Sequence, residues 1–203
     1  RGAHLVRAAG FATKGWTDTA SENAQKNKLN KQFETFMSQE DLNCSLVGVC
    51  DLFDNNAELG IDASMNEVRP GGAPKGTAIR YKTHEEMLAN ENIDGVIIAT
   101  PDHWHSRITI DAAKAGKHVY CEKGMTRTFD EAIDVYDAIK KTGIVFQLGH
   151  QNRQVEANEK ARQIYEQNLL GPVNLVELTT NRNSPWGAWY WGCLLYTSDA
   201  ADE

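Results

Sequence analysis

Short apolar runs alternate with amphipathic stretches along the middle of the chain, and the clearest example runs from Asp94 to Lys123. Residues 95–100 are apolar and rich in β-branched side chains, which predicts a strand buried on both faces of a parallel sheet. Residues 117–121 predict the next strand, and the apolar positions between the two follow the spacing of a helix that Gly116 can end. This alternation is typical of βαβ units, so we expect an α/β fold with parallel strands and right-handed crossovers.

Polar residues gather where these two strands end. Thr100 is a candidate N-cap for the helix, with Pro101 at its first helical position and an acid in its first turn. Because ligands bind at the carboxyl ends of strands in open α/β sheets, the pattern predicts one functional rim. That rim is expected to carry His103, His105, Glu122 and Lys123.

The flanking sequence predicts more elements of the same kind. Strands are expected at residues 44–50, 78–81 and 144–148, and helices at residues 2–9 and after the capping boxes Thr83–Glu86 and Thr128–Glu131. The polar residues 12–39 predict a loop followed by a surface helix, and residues 55–74 a mixed segment with a loop at 69–74. The helix after Thr128 is expected to place on one face Phe129, Ala132, Ile133, Tyr136 and Ile139.

The pattern changes after the last predicted strand. Residues 155–167 predict a helix stopped by the Gly-Pro pair at 171–172, and residues 173–182 alternate loosely, as in a strand of an antiparallel sheet. We therefore expect a dinucleotide-binding domain at residues 1–149, followed by the beginning of an α+β second domain at residues 150–192.

Both ends of the chain are expected to be unnatural. The chain opens at Arg1 without the strand that would begin such a sheet. Residues 193–203 resemble the in-frame translation of an adapter used to prepare DNA sequencing libraries, and the alternative is a natural polar terminus. We interpret the chain as a fragment of a longer protein.

Composition and charge exclude several classes of function. The net charge of -7 opposes binding to nucleic acid or anionic membrane, and the 41% hydrophobic content is ordinary for a soluble globular protein. No apolar stretch approaches the roughly 20 residues of a membrane span. The cysteines show no CxxC spacing, and two lie in apolar strand runs, which favours buried thiols in a reducing, cytoplasmic compartment. They are Cys44, Cys50, Cys121 and Cys193.

Asp51 is the first candidate for cofactor binding. An acid at the end of this strand can accept both hydroxyls of an adenosine ribose and repels a 2′-phosphate. Leu52 and Phe53 follow it rather than an arginine, so the sequence predicts NAD and makes NADP the less favoured cofactor. The alternative is a turn acid without a ligand. Gly2 is a candidate for the last glycine of a phosphate-binding loop.

His103 and His105 allow three interpretations. The His-x-His pattern is a metal-ligand pattern of some hydrolases, but two positions apart on a helix point about 200° away from each other. We therefore predict no metal. Donors or stacking platforms for a nicotinamide ribose, and helix-surface histidines without a role, remain open.

Lys123 is the candidate catalytic residue. A partly desolvated lysine at a strand end can exchange protons near neutrality, as the oxidation of an alcohol requires, and Glu122 could orient it or bind ribose. A surface ion pair is the alternative. His150 and Arg153 are candidate substrate ligands near the end of the last predicted strand, or members of a polar hinge between domains.

From about Cys44 to Arg182 the chain resembles the amino-terminal portion of the Gfo/Idh/MocA oxidoreductases, NAD(P)-dependent enzymes that act on sugars, inositols and related polyols. Three segments carry the resemblance: IDGVIIATPDHWH, AGKHVYCEKGM and IVFQLGHQNR. The resemblance implies a Rossmann-type doubly wound parallel sheet. It also implies that Asp51 contacts the adenosine ribose, that Glu122 contacts the nicotinamide ribose and that Lys123 is catalytic. By the same resemblance, the cofactor is surrounded by Thr100, Pro101 and His105.

The function implied by the resemblance is an NAD-dependent oxidoreductase that transfers hydride between nicotinamide and a sugar or cyclitol hydroxyl. A full-length homo-oligomer is implied too, while this fragment alone is expected to be inactive. Some relatives are glycosidases that retain NAD; those usually lack the lysine, so Lys123 favours a dehydrogenase. A non-catalytic dinucleotide-binding sensor and a zinc hydrolase are the remaining alternatives.

Overall fold

The computed structural model of the chain describes residues 2–65 and 76–177. Contacts divide the chain into two units, Arg1–Gln151 and Asn152–Glu203. Within the described ranges, no helix has the length and apolar character needed to cross a membrane. The expected loop at residues 69–74 and the expected tail at residues 193–203 lie outside these ranges.

The first unit alternates strands and helices in the predicted order. Its strands are β1 (Gly48–Cys50), β2 (Ile79–Tyr81), β3 (Gly95–Ile98), β4 (His118–Glu122) and β5 (Phe146–Gly149). Its helices are α1 (Gly2–Ala8), α2 (Lys14–Lys26), α3 (Gln32–Ser38), α4 (Asp54–Met65), α5 (His84–Leu88), α6 (His105–Lys114) and α7 (Phe129–Thr142). Two 3₁₀ turns cover Asp102–Trp104 and Gln151–Gln154.

All pairings between the described strands are parallel, as the sequence predicts. β1 pairs with β2, and β3, β4 and β5 form a three-stranded sheet in that order. Ile98 lies opposite Cys121, and Glu122 lies opposite Gly149. The carboxyl ends of β3, β4 and β5 therefore meet along one edge.

The core of this unit forms where α6 packs against β3 and β4. Val96 and Ile98 of β3 are buried with Ala112 and Ala113 of α6. The expectation that β3 is buried on both faces is wrong, because the side chain of Ile97 between them is 44% exposed. On that face, Ile97 borders an open cavity of about 300 Å³ instead of a helix.

Helix α7 begins and ends as its sequence predicts, but it buries a different face. The Thr128 side chain accepts from the Glu131 amide, the Glu131 carboxylate accepts from the Thr128 amide, and Gly143 ends the helix at φ 71°. Val135 is fully buried, while Phe129 and Tyr136 are 80% and 59% exposed. The sequence therefore identified the apolar stripe of α7 but not its buried edge. An apolar stripe on a helix does not by itself say which of its edges meets the core.

Two helices occupy segments that we expected to be irregular. Thr13 caps α2 by accepting from the Trp16 amide, and the Trp16 ring meets the Phe36 ring of α3 edge-on at 5.2 Å. The guanidinium of Arg7 lies 4.9 Å from the same indole, so α2 has packing partners that its polar sequence conceals. Helix α4 replaces most of the expected mixed segment.

Helix α6 starts later than predicted. Pro101 has ψ 144°, which is extended rather than helical, and it precedes the 3₁₀ turn. The α-helix itself begins at His105, and the Thr100 side chain makes no capping hydrogen bond. Gly116, with φ 73°, follows the helix end as expected.

The second unit is described only in part. Helix α8 (Glu156–Glu166) confirms the predicted helix, but the chain leaves it through Asn168 at φ 55°, before the expected Gly-Pro stop. Residues 173–177 form no strand, and the rest of the expected strand lies outside the described ranges. The proposed α+β character of this unit stays a prediction.

Substituting Gly149 with alanine is expected to destabilise the first unit. A Cβ at Gly149 would lie 2.7 Å from the Tyr120 hydroxyl oxygen and 2.9 Å from its ring, so the tyrosine must shift. Overpacking of this kind costs about 1–3 kcal/mol, measurable by urea denaturation. Gly15→Ala is the control, because a Cβ there meets nothing within 4 Å and should stabilise α2. If Gly149→Ala lowers the free energy of unfolding equally in a protein that already carries Tyr120→Ala, the contact with Tyr120 is not the cause.

Candidate functional site

The candidate site is the edge where β3, β4 and β5 end. Thr100 and Pro101 follow β3 and are exposed, while Glu122 ends β4 and Lys123 follows it. The register that places Ile98 opposite Cys121 brings these two segments side by side. The structure therefore brings the segment after β3 beside the segment that ends β4, as the sequence predicts.

Glu122 and Lys123 have opposite environments. Glu122 is only 6% exposed, and its Oε2 accepts a hydrogen bond from the Lys123 amide at 3.2 Å. Lys123 itself is exposed, so the partial desolvation that we expected is not found in the described residues. A buried carboxylate thus fixes the backbone from which an accessible ammonium projects.

His105 lies beneath the rim rather than on it. It is 2% exposed, its Nδ1 lies 2.6 Å from the Gly124 carbonyl oxygen, and its Nε2 lies 2.8 Å from the Thr100 carbonyl oxygen. Both ring nitrogens therefore face backbone of the two segments that form the site.

His103 occupies a different environment from His105. Its side chain is 50% exposed, its Nδ1 lies 4.0 Å from an Asp102 oxygen, and its ring centroid lies 6.1 Å from that of Trp104. His103 is thus accessible for stacking, while both nitrogens of His105 are engaged by carbonyls. This arrangement gives no shared metal position for the two histidines.

A different group has metal-like spacing within the described part of the chain. His84, Glu85 and Asp111 each offer a ligand atom within 4.8 Å of the others. However, His84 turns Nδ1 toward Glu85 and Nε2 toward Asp111, and Arg107 donates to Asp111 at 2.8 Å. Burial would raise the pKa of Asp111, but the bonds from His84 and Arg107 lower it overall. We interpret the group as an ion-pair network between α5 and α6.

A second cavity, of about 380 Å³, lies at the end of β1 and β2. Asp51 enters it with Oδ1 already accepting from the Phe53 amide at 2.9 Å, in the turn that leads into α4. Arg80 and Lys82 line the same cavity, and Arg80 is ion-paired with Asp54 at the start of α4. The cavity is therefore lined by both acidic and basic side chains, and the second carboxylate oxygen of Asp51 is available to a ligand.

The remaining candidates are Gly2, His150 and Arg153. A Cβ on Gly2 would come within 3.8 Å of the Ala99 Cβ, so the start of α1 adjoins the end of β3. His150 follows β5 and is exposed, as is Arg153 in the second unit. The roles of these residues stay predictions.

Comparison with known families identifies the group to which the chain belongs. Residues 17–150 match the Gfo/Idh/MocA family, described as an oxidoreductase family with an NAD-binding Rossmann fold. The chain belongs to this family. The parallel strands with intervening helices are the Rossmann fold of these proteins, and the Gfo/Idh/MocA membership makes NAD the cofactor of the fold.

Similar proteins include enzymes with different activities. Levoglucosan dehydrogenase from Pseudarthrobacter phenanthrenivorans is 38% identical over 87 residues, which are 43% of this chain and 22% of that protein. The 2,7-anhydro-N-acetylneuraminate hydratase of Escherichia coli is 30% identical over 105 residues, 52% of this chain and 28% of that protein. This Gfo/Idh/MocA chain thus covers only about a quarter of the length of either relative.

Solved structures of the same family show a similar fold. The WlbA dehydrogenase from Bordetella pertussis, in complex with NADH and UDP-GlcNAcA, has a TM-score of 0.53 and 25% identity. The similarity covers 66% of this chain and 36% of that one. Levoglucosan dehydrogenase with NADH and levoglucosan has a TM-score of 0.52 and 28% identity, covering 63% of this chain and 31% of that one.

Two residues of the cavity beside Asp51 were missed by sequence reasoning. Only the residues that directly follow Asp51 were searched for a cation, whereas Arg80 lies opposite Val49 in the parallel pairing of β1 with β2. The same register carries Lys82 past the end of β2 toward Asp51. Charged residues at the end of the predicted strand 78–81 were the available signal.

The cysteines of this Gfo/Idh/MocA chain are expected to differ strongly in reactivity. Burial raises the pKa of Cys121 to about 11, and the neighbouring Glu122 carboxylate adds to the rise. Only about one Cys121 thiol in a thousand is then ionised near pH 8, whereas Cys44 is exposed. Iodoacetamide labelling followed by peptide mass spectrometry should modify Cys44 first and Cys121 last. Equal labelling of both in the folded protein would contradict this assignment.

Proposed function

We propose that the gene product containing this chain is an NAD-dependent dehydrogenase that oxidises a hydroxyl of a sugar or cyclitol. The observation that carries the proposal is the accessible Lys123 ammonium beside the buried Glu122 at the carboxyl end of β4. The sugar dehydrogenases among the similar proteins support the substrate class.

The oxidation of the alcohol removes a hydride and a proton from the substrate. NAD, held by Asp51 and by the rim residues Thr100 and Pro101, would supply a hydride acceptor for the carbinol carbon of the substrate. Lys123, in its neutral form, takes the proton from the hydroxyl oxygen, so that the C–O single bond becomes a carbonyl. Glu122 holds the Lys123 amide and thereby fixes where the side chain starts. In the reverse direction, the Lys123 ammonium returns the proton.

The residues present fit the adenosine half of NAD. Asp51 keeps Oδ1 in its own turn, which leaves Oδ2 for hydrogen bonds from the ribose hydroxyls. The exposed Leu52 offers an apolar surface at the same cavity. Asp54 neutralises Arg80, so the cavity does not favour the extra phosphate of NADP. Thr100, Pro101 and His103 are proposed to line the nicotinamide half.

A reaction without net redox is the second candidate. It is favoured by one observation, namely that the similar Escherichia coli protein is a 2,7-anhydro-N-acetylneuraminate hydratase. The test incubates the gene product with NAD and a panel of sugars, anhydrosugars and inositols. Stoichiometric NADH, seen by absorbance, supports the dehydrogenase; product formation without NADH supports the alternative.

Three further proposals concern the whole protein. His150, which follows β5, and Arg153 of the second unit would contact the substrate, and the full-length protein would form a homo-oligomer. The free thiols of Cys44, Cys50 and Cys121 fit the reducing conditions of the cytoplasm, where we place the protein.

A further inference from the structure

The segments that carry the candidate residues lie beyond the hydrogen-bond ladder of the sheet. β3 ends at Ile98 and β4 ends at Glu122, whereas Thr100 and Lys123 lie after those ends. The paired register stops at Ile98 with Cys121, so strand pairing does not fix the two turns against each other. Another contact has to hold their separation if Lys123 is to keep one position.

His105 makes that contact through both of its ring nitrogens. Nε2 lies 2.8 Å from the Thr100 carbonyl oxygen, and Nδ1 lies 2.6 Å from the Gly124 carbonyl oxygen. The Gly124 carbonyl is one peptide away from Lys123, and the Thr100 carbonyl belongs to the bond before Pro101. One imidazole thus connects the turn after β3 with the turn after β4.

The anchor of this connection is rigid. His105 is the first residue of α6, and α6 packs on β3 and β4 through the fully buried Ala112 and Ala113. The imidazole itself is 2% exposed, which excludes water as a competing partner for the carbonyls. A ring with both nitrogens protonated donates to both carbonyls, and a neutral ring donates to one of them.

We propose that His105 is a positioning residue, which holds the Thr100 turn and the Gly124 turn at a fixed distance so that Lys123 keeps its place at the rim. This inference rests on the proposed role of Lys123, and it assigns His105 an effect through the backbone instead of a contact with the cofactor. A misplacement of about 1 Å in a reacting group can cost roughly a hundredfold in rate, so the effect is measurable.

The test compares three variants in the gene product that contains this chain. His105→Phe keeps a ring but removes both polar nitrogens, whereas His105→Gln keeps an amide that can donate to one of the two carbonyls. Val135→Ala is the matched control, because Val135 is fully buried in α7, outside the segments that carry the two turns, and its truncation leaves a cavity. All kinetics are measured at a temperature where each variant is folded.

Two readouts separate positioning from general stability. We expect His105→Phe to lower kcat by about 10–100-fold with a KM for substrate within about threefold, and His105→Gln, which can restore one of the two contacts, to recover part of the loss. Amide hydrogen exchange at residues 123–126 should become about tenfold faster in His105→Phe and stay unchanged in Val135→Ala once global stability is taken into account.

The contrary results are equally specific. A His105→Phe protein with the kcat and the exchange rates of Val135→Ala would overturn the proposal. If His105→Phe does not fold, His105→Leu, which is smaller and has no polar side-chain atom, replaces it, and wild-type kcat and exchange in that variant would overturn the proposal. Turnover that survives Lys123→Ala would refute the proposed function, and the exchange rates at residues 123–126 would still decide the role of His105.

Discussion

Replacing Lys123 with alanine is expected to lower kcat for alcohol oxidation by about a thousandfold in the gene product that contains this chain. The reason is that Lys123 is the exposed basic side chain that directly follows β4, where Glu122 holds its amide at 3.2 Å. NADH affinity should stay within about twofold, because the side chain acts on the substrate proton. Steady-state kinetics and a fluorescence titration with NADH measure the two quantities.

Two further variants define what Lys123 contributes. Lys123→Arg keeps the positive charge, but its guanidinium does not release a proton in proteins, so it should be about as inactive as the alanine variant. Lys141→Ala removes another exposed lysine, in the last turn of α7, and should leave kcat unchanged. Activity restored by arginine would show that charge alone is needed, and the role as proton acceptor would be wrong.

Local signals in the sequence were sufficient for the elements around the site. Thr128 and Glu131 form the expected reciprocal cap, and Gly143 adopts the left-handed conformation that a glycine permits at a helix end. Such signals involve residues three or four positions apart, so a single sequence contains both partners. The parallel pairing of β3, β4 and β5 follows in turn from the helices that connect them.

The sequence did not reveal packing contacts between residues that are distant along the chain. Helix α2 was expected as a loop because its residues are polar, yet Trp16 packs on Phe36 twenty positions later. The face of β3 that carries Ile97 was expected to be covered, yet Ile97 is 44% exposed and borders an open cavity. Periodicity predicts that a face is apolar, whereas its burial depends on which element the chain brings against it.

In the candidate site, too, strand ends could be predicted from the sequence, whereas side-chain contacts could not. The positions of Glu122 and Lys123 follow from the rule that parallel strands end at one edge, and the structure places them there. The exposure of Lys123 and the two carbonyl contacts of His105 depend on side-chain directions, which spacing does not specify. Arg80 lines the Asp51 cavity because of the register between β1 and β2, which brings together residues almost thirty positions apart.

Replacing Asp51 with asparagine is expected to reverse much of the preference for NADH over NADPH. The change keeps the shape and the hydrogen bond to the Phe53 amide but removes the charge that binds ribose hydroxyls and repels a 2′-phosphate. Charge-assisted hydrogen bonds of this kind contribute about 1.5–3 kcal/mol, so NADH affinity should fall by roughly 10–100-fold. NADPH affinity should rise, since Lys82 and Arg80 line the same cavity. Fluorescence titrations with both coenzymes give the ratio of dissociation constants.

The ion pair between Asp54 and Arg80 provides the decisive control for this prediction. Asp54→Asn frees the Arg80 guanidinium, so adding it to Asp51→Asn should tighten NADPH binding further, and Arg80→Gln should cancel that gain. Glu58→Gln removes a carboxylate one turn later on α4, outside the cavity, and should leave the ratio unchanged. If Asp51→Asn leaves the ratio of dissociation constants as it was, the adenosine ribose does not lie at Asp51, and the cavity at the end of β1 and β2 has no part in choosing the coenzyme.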